Sequence, residues 1–297
     1  MHLRITPRHR SFFLFISFTL VFFYCLSWRQ TPVSAAGENK NTAQDIKVIT
    51  LNYHSIGNFN NRYAVSVEHF TRQVESLLHQ GYSNISLAEF KSWRNGNVKL
   101  PGRAFMLTFD DGHMSDYENV YPLLKKMRLK GVFFLKTEAI GSDGYLNINQ
   151  IKEMSDSGLC EFGSHSMTHR NFISMNNKDM ERELVGSRKS IQAITGQDVY
   201  AFAYPNGMWD EGAKRALLEN GYLYAFTIMP GINELSTNSL ELRRIIIKRN
   251  TSLEEFIAWV AREENLYKRY YSVMFKKASK DGLASVAELC REELQKP

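Results

Sequence analysis

Between residues 46 and 261 the chain alternates short apolar runs with longer stretches of helical periodicity. Runs rich in β-branched and aromatic residues predict strands over 46–53, 104–109, 132–135, 159–162, 199–203, 223–228 and 244–247. Between them, Ser66 offers an N-cap to a helix carrying Phe70, Val74, Leu77 and Leu78 on one face, and Gly81 ends it. Further helices are expected over 117–128, with Leu123, Leu124 and Met127 on one face, and near 149–157, 178–194, 209–220 and 253–261. Repeated strand–helix units argue for a parallel sheet, open or closed into a barrel. No internal repeat or low-complexity segment is visible, and residues 267–297 read as charged and helical.

The polar residues that break this pattern cluster. His54, Asp110 with Asp111, His165, and Tyr204 with Pro205 each follow a strand-like run directly. In parallel β/α folds the residues just past the strand C-termini meet on one rim, where active sites form. Four such groups on one rim make a candidate site.

The N-terminus bears on where the chain works. Arg4, Arg8 and Arg10 precede an uncharged, mostly apolar run from Phe12 to Trp28, and small residues follow at Val33, Ser34 and Ala35. Residues 1–35 therefore read as a secretory signal peptide cleaved near Ala35, or as an uncleaved membrane anchor. Either reading exports the rest of the chain: a polar linker over 36–45, a catalytic domain over 46–265 and a helical C-terminal extension over 266–297. The only membrane contact expected is through that first segment, if it stays attached. The first 35 residues hold four arginines and no acid, so removing them lowers the formal charge from +6 to +2. The basic balance is a targeting feature, and no nucleic-acid partner is expected. Cys25 lies inside the apolar run. Cys160 and Cys290 are too few for a disulfide framework, and nothing supports a bridge between them.

Asp110 and Asp111 stand next to each other before Gly112. Successive side chains at a strand end diverge, so two adjacent acids take different jobs: one can ligate a metal while the other faces a reacting water. An ordinary acidic turn is the plain alternative. His165 and His169 are four residues apart, a spacing that one helical turn would bring onto a common face. Two imidazoles and a carboxylate suit zinc with positions left open, although a lone His pair is also a common coincidence. No Glu follows His165, so this is not the His-Glu-x-x-His peptidase motif.

Thr108-Phe109-Asp110-Asp111-Gly112, followed some fifty residues later by His165-Ser166-Met167-Thr168-His169, resembles the first two motifs of the carbohydrate-esterase (NodB-homology) polysaccharide deacetylases. Phe202-Ala203-Tyr204-Pro205-Asn206-Gly207 is similar to their third. Leu51-Asn52-Tyr53-His54 resembles the poly-N-acetylglucosamine deacetylase branch, in which the barrel order is permuted. The resemblance covers roughly 46–261.

It implies an α/β fold, a distorted (β/α) barrel of about seven parallel strands. It also implies a metal-dependent hydrolase of linear amide C–N bonds, acting on an N-acetylated polysaccharide such as poly-N-acetylglucosamine exopolysaccharide. Carried over by position, Asp111, His165 and His169 are the metal ligands, Asp110 the general base and His54 the general acid. The N–H of Asn206, in the turn with Tyr204 and Pro205, helps hold the oxyanion. One divalent ion is implied, zinc first, with cobalt, nickel or manganese as substitutes. Trp209 is a candidate to stack on a sugar, or a core residue opening the next helix.

There are departures. Asn206 replaces an aromatic, His113 stands where an aromatic is commoner and reads as a rim residue, and the third-motif Arg is absent, with Arg243 and Arg244 as candidate replacements. The alternatives are a deacetylase of peptidoglycan or another envelope glycan, and an inactive glycan-binding protein. Against the latter, no ligand or base is missing.

Overall fold

The computed structural model describes residues 46–173, 175–261 and 291. The signal or anchor over 1–35, the linker over 36–45 and all of the 266–297 extension but Arg291 lie outside the described residues. Among the described residues no helix is long and apolar enough to cross a membrane.

In chain order the elements are β1 (Lys47–Tyr53), α1 (Val67–His79), β2 (Ser83–Asn84), α2 (Leu87–Arg94), β3 (Arg103–Asp111), α3 (Tyr121–Met127), β4 (Gly131–Leu135) and α4 (Ile148–Asp156). They continue with β5 (Cys160–Ser164), α5 (Asn177–Thr195), β6 (Ala201–Ala203), α6 (Glu211–Glu219), β7 (Tyr224–Phe226), β8 (Ile232–Asn233), β9 (Ile245–Ile246) and α7 (Leu253–Ala261). One sheet runs β7-β6-β5-β4-β3-β1-β8, with β2 added to β3 and β9 added to β1. It curls into a half-barrel of the (β/α) type. All pairings are parallel except β1 with β8, so the expected parallel sheet carries one short antiparallel edge.

Alternation along the strands sorts side chains into two apolar clusters. Ile49, Leu51 and Tyr53 of β1 and Phe105, Leu107 and Phe109 of β3 pack in the larger cluster with Phe70, Val74 and Leu77 of α1. Val48 of β1 and Ala104 and Met106 of β3 belong to the other, with Phe134 and Phe226. Period two carries this second face onward to Asn52 on β1 and His54 just past its end, and to Thr108 and Asp110 on β3. The site residues therefore extend the inner face of the sheet at its C-terminal end.

Helix starts follow their local signals. Ser66 caps α1 by accepting from the His69 N–H, as its position predicts. Periodicity does not predict α2, which opens on a reciprocal capping box between Ser86 and Glu89. The helix predicted over 117–128 is divided, with a π turn at Asp116–Val120 leading into α3.

Candidate active site

The floor of the site is an ion pair sealed from solvent. Asp110 is 2 % exposed and Arg244 fully buried. The guanidinium donates from Nη1 to Asp110 Oδ1 at 2.7 Å and from Nη2 to Oδ2 at 2.8 Å. Asn52 Nδ2 adds a third bond to Oδ2 at 2.7 Å. Arg244 is itself fixed by its Nε bond to Thr227 O (2.9 Å) and by the rings of Phe134 and Phe226. Burial alone would raise the Asp110 pKa, but the charges of Arg244 and His165 outweigh it and hold the carboxyl below its ordinary value. Of the two arginines that the sequence leaves open, Arg244 is the one that reaches Asp110. Leu242 and Arg244 are buried where Glu241 and Arg243 are only partly so, an alternation that turns Arg244 inward.

Asp111 turns the other way. Its φ of 78° lies in the left-handed region, which swings its carboxylate away from Asp110. Gly112 continues the turn at φ 75°, where a Cβ would sit 2.8 Å from Leu135 Cδ2, so glycine is required. Asp111 Oδ1 lies 3.8 Å from His165 Nε2 and 3.6 Å from His169 Nε2. The carboxyl is held below its ordinary pKa: burial opposes this, but the bond from His113 and the charge of His165 prevail.

The two histidines do not share a helical turn, contrary to the expectation from their spacing. Residues 165–169 form a loop in which Ser166 and His169 both take φ 64°. Its shape is fixed by side chains. Ser164 Oγ accepts from the Ser166 N–H and Ser166 Oγ from the His169 N–H. Buried Glu183 on α5 takes the Met167 N–H (2.8 Å), the Thr168 N–H (2.9 Å) and the Thr168 hydroxyl (2.7 Å). No local sequence pattern points to Glu183, which sits on the following helix, remote in sequence from the loop it organises.

Asp111, His165 and His169 offer ligand atoms all within 4.8 Å of one another. His165 Nδ1 is 2.7 Å from Ala203 O, which fixes that nitrogen as the N–H and leaves the Nε2 lone pair directed at Asp111. Two oriented imidazole nitrogens and a carboxylate are the donor set of an open site for a divalent ion. The residues present fit such a group.

His113, expected to be a bystander, contacts this set: its Nε2 is 3.4 Å from Asp111 Oδ2, and its ring stacks on Tyr145 at 5.2 Å. His54 is half-buried beside the two acids, its ring stacked at 4.8 Å on Tyr63. Burial lowers its pKa, and the carboxylates of Asp110 and Asp111 act in the opposite direction.

The third motif forms a tight turn after β6, with Asn206 exposed at φ 58°. Its neighbours are buried, Trp209 in the manner of the core residue that opens the next helix. Tyr204 is fully buried, on the helix-facing side of the sheet by strand alternation, and its hydroxyl bonds Leu240 O at 3.1 Å. Trp209 is 6 % exposed and packs near Tyr204, and Pro205 is buried. These three hold the turn, and Asn206 faces outward. Gly207 completes it at φ 67°, packed on Ile228 with no room for a Cβ.

Residues 97–225 match the model of the polysaccharide deacetylase family. The family comprises carbohydrate esterases acting on N-acetyl amide bonds. Among curated proteins, the chain is 27% identical over 210 residues to the poly-beta-1,6-N-acetyl-D-glucosamine N-deacetylase of Staphylococcus epidermidis, covering 66% of this chain and 71% of that one. Among solved structures it resembles the Streptococcus pyogenes deacetylase PplD in complex with acetate (TM-score 0.68, 25% identity, covering 73% of this chain and 99% of that one). It also resembles IcaB from Ammonifex degensii (TM-score 0.67, 26% identity, covering 73% and 98%).

Proposed function

We propose that the protein is an exported, metal-dependent N-deacetylase of an N-acetylglucosamine polysaccharide, with poly-β-1,6-N-acetylglucosamine the first candidate substrate. The observation that carries this reading is the pairing of an oriented Asp111–His165–His169 set with a second carboxylate, Asp110, held ionised beside it. The likeness to the Staphylococcus enzyme supports the choice of glycan. The basic and apolar N-terminal segment supports export.

In this mechanism Asp111, His165 and His169 hold the ion, which supplies Lewis-acid polarisation of the acetamide carbonyl and of water. Asp110 accepts the proton of the attacking water. Oδ2 already takes two hydrogen bonds, so Oδ1, with one, has the spare acceptor capacity for it. Arg244 and Asn52 keep that carboxylate in one orientation through the step. The Asn206 N–H, at the tip of its turn, shares the negative charge of the tetrahedral oxygen. His54 donates a proton to the departing sugar amine, which is a poor leaving group until protonated.

Acetate release from a panel of defined N-acetylated oligosaccharides, with divalent metal measured on the same protein, tests the proposal. Acetate release that stops on chelation and returns with a divalent ion is the expected result. Full activity in demonstrably metal-free protein would sink it. A second reading, a deacetylase of peptidoglycan or another envelope glycan, draws support from a cleft lined by Arg62, Lys248 and Arg249, whose cations suit a glycan that bears anions.

A further inference from the structure

Two loops leave the C-terminal ends of the paired parallel strands β1 and β9 and meet beside the candidate site. Arg249 ties them together: its N–H donates to Arg62 O (3.0 Å), and its Nη1 donates to Phe59 O and to Asn60 Oδ1, both at 3.2 Å. Between them lies an open cleft of about 450 Å³ lined by Asn60, Asn61, Arg62, Lys248, Arg249 and Asn250. All six residues are exposed. The lining is three cations and three carboxamides, with no acid. Among the described residues, no carboxylate forms an ion pair with Arg62, Lys248 or Arg249.

The cleft is coupled to the chemistry by stacking. The Arg62 guanidinium lies 4.9 Å from the centre of the Tyr63 ring, and Tyr63 stacks on His54. One aromatic ring therefore separates the cleft's cation from the candidate proton donor. Three like charges around a concave wall repel one another until an anion joins them, and such a wall concentrates anions. Carboxamide donors beside the cations suit oxyanions.

We propose that this cleft is a subsite for an anionic substituent, a carboxylate or a phosphate, carried by the polysaccharide close to the sugar that is deacetylated. The inference rests on the polysaccharide-deacetylase reading above and, within it, favours the second substrate, an envelope glycan that bears anions, over neutral poly-β-1,6-N-acetylglucosamine. A neutral N-acetylglucosamine polymer offers the three cations nothing to pair with, and its deacetylated product carries ammonium groups that they repel. The cleft therefore selects N-acetylated glycans that bear negative charge, and it disfavours chains already deacetylated nearby.

The test uses the purified full-length chain and three N-acetylglucosamine-containing oligosaccharides of equal length: one neutral, one bearing carboxylates and one bearing phosphate. Binding is measured by calorimetric titration, and acetate release is measured in parallel. The wild type binds at least one anionic ligand about fivefold or more tighter than the neutral one at low salt, and the gap closes as salt rises. The stronger of the two anionic ligands identifies the substituent. Lys248→Gln weakens that ligand by about three- to fivefold and leaves the neutral one unchanged. Lys248→Glu weakens it further, and Arg62→Gln reproduces the Lys248→Gln loss from the opposite loop. Equal binding of all three ligands by the wild type overturns the subsite, as does an equal loss for neutral and anionic ligands in Lys248→Gln. Because titration needs no turnover, the two readings separate. Anion-selective binding without acetate from any ligand refutes the deacetylase and keeps the cleft, whereas acetate release with no charge preference does the reverse.

Discussion

Asp110 and Asp111 are neighbours on one strand, yet they occupy opposite kinds of environment. Asp110 lies on the sealed inner face, with three charge-assisted bonds from Arg244 and Asn52. Asp111 lies on the open rim, about one-fifth exposed, among three imidazoles. The difference arises at a single backbone position, the φ of 78° at Asp111, which breaks the alternation that would otherwise bury it on the opposite face. The lesson is that a buried arginine holds one carboxylate ionised and in one orientation, ready to take a proton, while a loop of left-handed residues gathers ligands around the other.

The comparison is attacked most strongly at Asp110. Asp110→Asn keeps the shape but cannot take a proton from water, so kcat should fall about 10²–10⁴-fold; it also leaves buried Arg244 without its counter-charge, so the rate is read at a temperature where circular dichroism shows the variant folded. A loss of less than tenfold would mean that the buried carboxylate only shapes the pocket. Arg244→Met comes next. It leaves Asp110 buried without its counter-charge, and unfolding free energy in urea should drop by about 3–5 kcal/mol. The double variant Arg244→Met with Asp110→Asn should recover much of that loss, since the uncompensated charge is then gone.

His54→Ala sharpens the rim side. An amide substrate should slow about 10²-fold, while an acetyl ester with a good leaving group should slow far less, because its departure needs little protonation. Equal slowing of both would make His54 a positioning residue. The alkaline limb of the pH–rate profile should flatten in the same variant.

The smallest effect is expected at Asp116, beneath the rim. It is fully buried, and neither carboxylate oxygen has a hydrogen-bond partner among the described residues. Burial, helped by the charges of Asp111 and Asp110, raises its pKa well above the ordinary carboxylate value. The unfolded chain therefore gives up this proton first. The group's contribution to stability is whole below the ordinary carboxylate pKa and is lost as pH rises toward the folded value. Asp116→Asn removes that dependence: the variant should gain about 0.5–2 kcal/mol at neutral pH and match the wild type near pH 4 or below. Thermal melts across that range would check it.

Much of this arrangement is legible in the sequence because it sits in local patterns. The strand-like runs over 46–53 and 104–109 place His54 and Asp110 on one rim, and Ser66 announces its helix. What escapes is set by tertiary contacts. The His165–His169 spacing suggests a helical turn, but the left-handed Ser166 and His169 are imposed by hydroxyl caps and by Glu183 from a later helix. Arg243 and Arg244 differ only in strand phase, which a two-residue strand barely reveals. α2 gives little periodic signal because its apolar face is short, although its capping box is written in Ser86 and Glu89. Trp209 offers two readings, sugar platform or core residue, and only its packing near buried Tyr204 separates them.

The division of roles between the two acids is tested most directly by metal analysis of Asp110→Asn and Asp111→Asn, purified side by side and reloaded with a divalent ion. The account predicts close to one ion per chain in Asp110→Asn with turnover lost, and loss of the ion in Asp111→Asn. An empty Asp110→Asn beside a fully loaded Asp111→Asn would contradict it.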